Sequence, residues 1–114
     1  MFITLCKSKI SHATITEAEL HYHGSITVDS ELLSAANILE GEKVEVLNIN
    51  NGSRFETYAI AGDPGQVCLN GPAARLGLVG DQIMILSYVL MDPAEAKKNK
   101  IKVIHLDEKN KIKK

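Results

Sequence analysis

The segment LHYHGSITVD, residues 20–29, holds the residue types with the widest chemical scope in the chain. Ser25 follows Gly24, and a serine hydroxyl can attack the carbonyl of the residue before it, exchanging an amide for an ester. Glycine at the attacked position tolerates strained backbone angles and leaves the carbonyl unshielded. Elimination from the ester leaves a dehydroalanine, and hydrolysis turns that into a pyruvoyl group, a ketone able to form a Schiff base with an amine. A Gly-Ser pair by itself is far more often a turn, so the dipeptide permits this chemistry without establishing it.

The remaining candidates are weaker. The histidines are His12, His21, His23 and His105. An H-x-H pair on a strand puts two rings on one face, but zinc takes three or four such ligands and no spacing supplies a third. They read as surface or hydrogen-bonded histidines, and no metal is expected. LNGPAARLG has neither a Walker lysine nor G-x-G-x-x-G, so it is not a nucleotide loop. Its functional reading is an anion held on backbone N–H groups, and its plainer reading is a capped turn. In RFETYAIA, Arg54, Glu56 and Tyr58 would share one strand face and Phe55, Thr57 and Ala59 the other.

Short strands must position these residues. MFITLCKSKI and HATIT are β-rich, ITEAEL is at most a helical turn, and SITVD is a short strand. DSELLSAANILEG is the clearest helix: Asp29 or Ser30 caps it, Leu32, Leu33, Ala36 and Leu39 form its apolar face, and Gly41 ends it. KVEVLNI and RFETYAIA alternate with period two around an NNGS hairpin turn. QVCLN, the long buried QIMILSYVLM and IKVIHLD complete six or seven strands, with a helical turn after Pro72 and another in DPAEAKK. Helices are too few for regular βαβ crossovers, whereas a closed barrel removes exposed strand edges.

The whole chain has 114 residues and 12.4 kDa, which predicts one domain, 1–114, with a modest core. Aromatic residues make up only 4%, so Val, Ile, Leu and Ala must fill that core, and oligomerisation is expected to support it. Charge is uneven: residues 97–114 carry eight lysines against two acids. That tail reads as a solvated end, and no aromatic side chain interleaves with it to suggest a nucleic-acid partner. Cys6 and Cys68 lack CxxC spacing, no apolar run reaches the roughly 20 residues of a membrane span, and MFITLCKSKISHATIT is unlike a signal peptide. A reduced, cytoplasmic protein that does not bind membranes is expected.

AELHYHGSITVD resembles the cleavage segment of the aspartate 1-decarboxylase family. The similarity continues in order through LLSAANILEGEKVEVLNINNGSRFETYAI and LNGPAARLGLVGDQIMILSY, and fades beyond about residue 100. It implies a six-stranded double-ψ β-barrel, mainly β with a few short helices, assembled as a homotetramer with active sites between subunits. It implies cleavage between Gly24 and Ser25 into a β chain, 1–24, and an α chain, 25–114, that begins with a pyruvoyl group made from Ser25. It further implies decarboxylation of L-aspartate to β-alanine and CO2 for pantothenate synthesis. Thr57 would stabilise the oxyanion during processing and Tyr58 would donate a proton to substrate. Tyr22, Asn70, Gly71, Ala73 and Ala74 would line the site. Arg54, with Lys9 as a second cation, would hold the carboxylate that β-alanine retains, since a planar guanidinium suits that task.

The sequence departs from the family pattern at Ser11-His12, His23 and Leu47, which puts in doubt any processing role for the 11–12 pair or for a carboxylate before Gly24. A competing expectation is a non-enzymatic barrel that binds a partner through its basic tail, because fold alone does not separate the two. Whether a maturation factor assists cleavage is left open by the sequence.

Overall fold

Hydrophobic alternation becomes a mixed eight-stranded sheet in a computed structural model that describes residues 1–114. The strands are β1 (Ile3–Thr14), β2 (Glu17–Glu19), β3 (Ser25–Asp29), β4 (Lys43–Asn48), β5 (Arg54–Gly62), β6 (Val67–Asn70), β7 (Gln82–Met91) and β8 (Lys102–His105). Their order is β2-β6-β3-β5-β4-β7-β1-β8. Only Ile15 and Thr16 separate β1 from β2, so one continuous run pairs antiparallel with β7 and then parallel with β6. Counting that run once closes the sheet into a ring of six, with β8 added outside on β1. This is the mainly β, six-stranded barrel that was expected.

The seam of the ring is held by backbone. The Thr16 N–H donates to the Val67 carbonyl at 2.8 Å, its hydroxyl accepts from the Val67 N–H at 2.9 Å, and the Ile15 N–H reaches Asp81. Ile10, Ile26, Val28, Val46, Val67, Leu69, Ile83 and Ile85 are fully buried inside, drawn from five strands. Such a ring buries both apolar faces and edge hydrogen-bonding groups, which is the advantage of closure for a short chain.

Three local expectations change. EAE in ITEAEL is a strand, not a helical turn, because Glu17, Ala18 and Glu19 find a ladder on Cys68, Leu69 and Asn70. Tertiary pairing overrides the weak helix preference of Glu and Ala. The first helix, α1 (Ser30–Ala35), is capped by the Asp29 carboxylate, which accepts from the Glu31 N–H at 2.9 Å. It ends at Ala36, before Asn37 turns left-handed at φ 58°, so Leu39 lies beyond it and is exposed. The long strand β7 is buried only in its first half, and Tyr88 and Leu90 are exposed.

The basic end is also more ordered than a solvated tail. Its eight lysines are exposed, yet β8 pairs parallel with Ser8–Ser11 and Asn110 is 2% exposed. Asn110 accepts from the Thr14 N–H at 2.7 Å and donates to the carbonyls of Thr14 and Gly65 at 2.9 and 3.0 Å. A second short helix, α2 (Pro93–Ala96), capped by Asp92, precedes this segment. No helix is long and apolar enough to cross a membrane.

Candidate active site

Residues 20–24 form a bend between β2 and β3, and Ser25 is the first residue of β3. Ser25 is wholly buried and stands opposite Asn70 in the antiparallel β3–β6 ladder. The Asn70 side-chain amide donates to Ser25 Oγ at 3.0 Å and to Thr27 Oγ1 at 2.8 Å. The Ser25 hydroxyl in turn lies 3.5 Å from the His23 carbonyl, a weak contact. One oxygen lone pair is therefore fixed by Asn70, while the hydroxyl proton remains loosely held.

Strand β5 runs parallel to β3, and their ladder starts at Ile26 opposite Ala59. Thr57 and Tyr58 precede the ladder. Their β4 side is paired, to Val44 and Lys43, but their β3 side is an open backbone edge. Gly24 occupies that edge, and a cleft of about 300 Å3 is lined there by Gly24, Thr57, Tyr58, Pro72 and Ala73, with Phe55, Glu56 and Leu76 at its margin. Alternation puts Thr57 and Tyr58 on opposite strand faces, yet both reach one cleft because the cleft follows the strand's edge rather than a face.

A short 3-10 helix, Gly71–Arg75, packs against the bend from the other side. Gly71 is left-handed at φ 65°, and a Cβ there would lie 2.5 Å from the Tyr22 carbonyl oxygen and 3.0 Å from the Gly24 nitrogen. Glycine is thus required both by conformation and by space. Ala73 is buried beside the cleft and Ala74 is half-buried in the same turn. Tyr22 is exposed and borders a separate depression with Glu17, Glu19, Thr27, Cys68 and Asn70.

The two cations lie elsewhere. Arg54 begins β5, four residues before Tyr58, and donates to Glu45 at 3.1 Å. Four residues of extended strand span about 13 Å. Tyr88 also donates to Glu45, at 2.6 Å, and that hydrogen bond, with burial, pushes the phenol up to about 12. Lys9 is half-buried on β1, opposite Leu86 and Val103. One copy of the chain brings Gly24, Ser25, Thr57, Tyr58, Asn70, Gly71 and Ala73 together, and leaves Arg54 and Lys9 apart from them.

Sequence reading missed Thr27 and Cys68, which share Asn70. Period two was the available signal, since Thr27 follows Ser25 by two and Cys68 precedes Asn70 by two. His21 and His23 sit exposed in the bend, and no group of three or more His, Cys, Asp or Glu is placed to hold a metal. Ser11 and His12 form a bulge in β1, with His12 left-handed at φ 64° and a 2.7 Å contact between Ser11 Oγ and His12 Nδ1.

Barrel and site together define a small β-barrel protein in which a buried serine, held by an asparagine amide, adjoins an open cleft at a strand edge. The profile of one family, aspartate decarboxylase, matches residues 1–113, and the chain belongs to that family. The match includes the basic end, further than the similarity recognised in the sequence. Among relatives, the aspartate 1-decarboxylase of Acetivibrio thermocellus is 59% identical over 114 residues, covering 98% of this chain and 90% of the relative. That of Campylobacter jejuni is 58% identical over 111 residues, with 96% and 88% covered. That of Salinibacter ruber is 48% identical over 114 residues, with 98% and 78% covered. Among solved structures, the rationally designed mkDPBB_sym_86 protein aligns with a TM-score of 0.48 at 17% identity, over 69% of this chain and 94% of that one, too loosely to bear on function.

Proposed function

We propose that this chain converts L-aspartate to β-alanine and CO2, for pantothenate synthesis, after making a pyruvoyl group from its own Ser25. The observation that carries the reading is Ser25 itself: buried, held by Asn70, and joined to a glycine that lines the cleft with Thr57 and Tyr58. The family membership of the chain supports it.

Ser25 Oγ attacks the Gly24 carbonyl carbon while the Thr57 hydroxyl donates to the carbonyl oxygen, where negative charge grows. The Ser25 nitrogen takes the hydroxyl proton, the C–N bond breaks, and an ester remains. Loss of the Ser25 Cα proton then breaks the Cβ–O bond, releasing Gly24 as a carboxylate and leaving dehydroalanine. Water displaces the nitrogen as ammonia. The site fits this product, because the Gly71 cradle brings backbone against Gly24 with no side chain between.

A pyruvoyl group at position 25 would supply a carbonyl for the substrate amine and an electron sink for the breaking C–C bond. Arg54 and Lys9 bind the carboxylate that is retained, and Tyr58 delivers the proton that replaces CO2. The carboxylate that leaves does so more readily from a poorly solvated place. Tyr22, Asn70, Gly71, Ala73 and Ala74 shape the pocket. Since one copy separates the cations from the cleft, the complete site lies between subunits of a homotetramer. Two free cysteines accord with a cytoplasmic location.

Intact-mass analysis and β-alanine release test the reading together. Wild type should give two fragments, the larger blocked at its N-terminus, and Ser25→Ala should give one uncut chain without activity. An undivided wild type that releases no β-alanine would sink it.

A further inference from the structure

The Asn70 side-chain amide uses both of its hydrogens and its oxygen. Its two amide hydrogens go to Ser25 and Thr27. Its carbonyl oxygen accepts from Cys68, whose Sγ lies 3.2 Å away, with the Leu69 carbonyl a longer alternative at 3.8 Å. Ser25, Cys68 and Asn70 are each at most 4% exposed, so water does not substitute freely for these contacts. Period two places them side by side: Cys68 faces Thr27 and Asn70 faces Ser25 across one ladder.

A side-chain amide is nearly symmetric in shape, and its orientation is chosen by neighbouring donors and acceptors. The hydroxyls of Ser25 and Thr27 can both donate and accept, so they do not choose. A thiol offers one weak S–H donor, and the Asn70 oxygen, 3.2 Å from Sγ, is the acceptor that suits it. Burial, then the nearby carboxylates of Glu17 and Glu19, push the Cys68 thiol up, which keeps its proton available for donation. Turned the other way, Asn70 would present an acceptor to Ser25 and bind the hydroxyl proton instead of the lone pair.

We infer that Cys68 is a positioning residue for self-cleavage: its S–H fixes the Asn70 amide so that Ser25 Oγ is held as acceptor, aimed for attack on Gly24. The inference rests on the proposed processing of Ser25.

The test compares cleavage rates of the full-length precursor by intact mass for wild type, Cys68→Ser, Cys68→Val and Cys68→Ala. Thermal melting of each checks that it is folded. Loss of one neutral hydrogen bond should slow Cys68→Val and Cys68→Ala by roughly five- to tenfold, whereas Cys68→Ser, which keeps a donor, should cleave at or near the wild-type rate. Val and Ala differ in the volume they leave, so agreement between them separates the lost donor from a packing defect. Cleavage of folded Cys68→Val at the wild-type rate would overturn the inference alone. So would a Cys68→Ser variant as slow as Cys68→Val. A wild type that never cleaves would overturn the processing reading as well.

Discussion

Charge placement on single residues sets what can be tested at that scale. Arg54 gives one guanidinium N–H to Glu45 at 3.1 Å, and under the proposed function a substrate carboxylate would compete with Glu45 for it. Arg54→Ala is expected to raise the KM for aspartate at least tenfold, the equivalent of about 1.4 kcal/mol, with a smaller change in kcat. An unchanged KM in steady-state assays would remove Arg54 from substrate binding. Glu45 also controls Tyr88. The phenol ionises at about 12 rather than its ordinary 10, so between those values an unfolded chain releases a proton that the folded one keeps. Stability linked to this pair is full below pH 10 and declines as pH rises towards 12. Ultraviolet titration should show one tyrosine near 12 in wild type, and Glu45→Gln should bring it back towards 10.

Short elements matter more here than long ones. The 3-10 helix exists in its observed place because Gly71 turns left-handed against the Tyr22 carbonyl. A Cβ costs about 1–2 kcal/mol in that conformation before any clash, and the 2.5 Å approach forces the bend to move. Gly71→Ala should therefore lower the melting temperature and slow cleavage together, read by calorimetry and by mass. The Asp29 cap, the NNGS turn and Pro72 at the helix start were legible because each acts within a few residues. Strand β2 was not, because nothing in Glu-Ala-Glu favours a strand until Val67–Asn70 lies beside it. The meeting of Thr57 with Tyr58 was not legible either. Alternation assigns faces, but the open edge at residues 57–58 depends on where β3 starts.

Across the whole molecule, closure links segments far apart in sequence. Six or seven strands and a mainly β barrel could be read from alternation and turn residues, whereas the Gly24-Ser25 pair only permitted the proposed chemistry. The clamp by Asn110 on Thr14 and Gly65 could not, since 96 residues separate Asn110 from Thr14 and no pattern links them. Asn110→Ala leaves a buried N–H and carbonyls without partners, at a cost of ~1–3 kcal/mol. Hydrogen exchange should then speed up in β8 and at the Thr14 amide while Ser25 remains protected.

The continuous run of β1 and β2 carries a consequence for the life of the cut protein. Both strands precede Gly24, so the small fragment contributes a full stave of the ring, bonded to β7 at one end and β6 at the other. If the Gly24–Ser25 bond is cut as proposed, both of these ladders keep their partners and the ring stays closed. Memory of how to rebuild it does not survive. Before the cut, the first stave is tethered at high effective concentration; afterwards the two pieces must find each other by diffusion. A chain cut in this way would refold poorly once opened, and its working lifetime would be set by how slowly its barrel first opens.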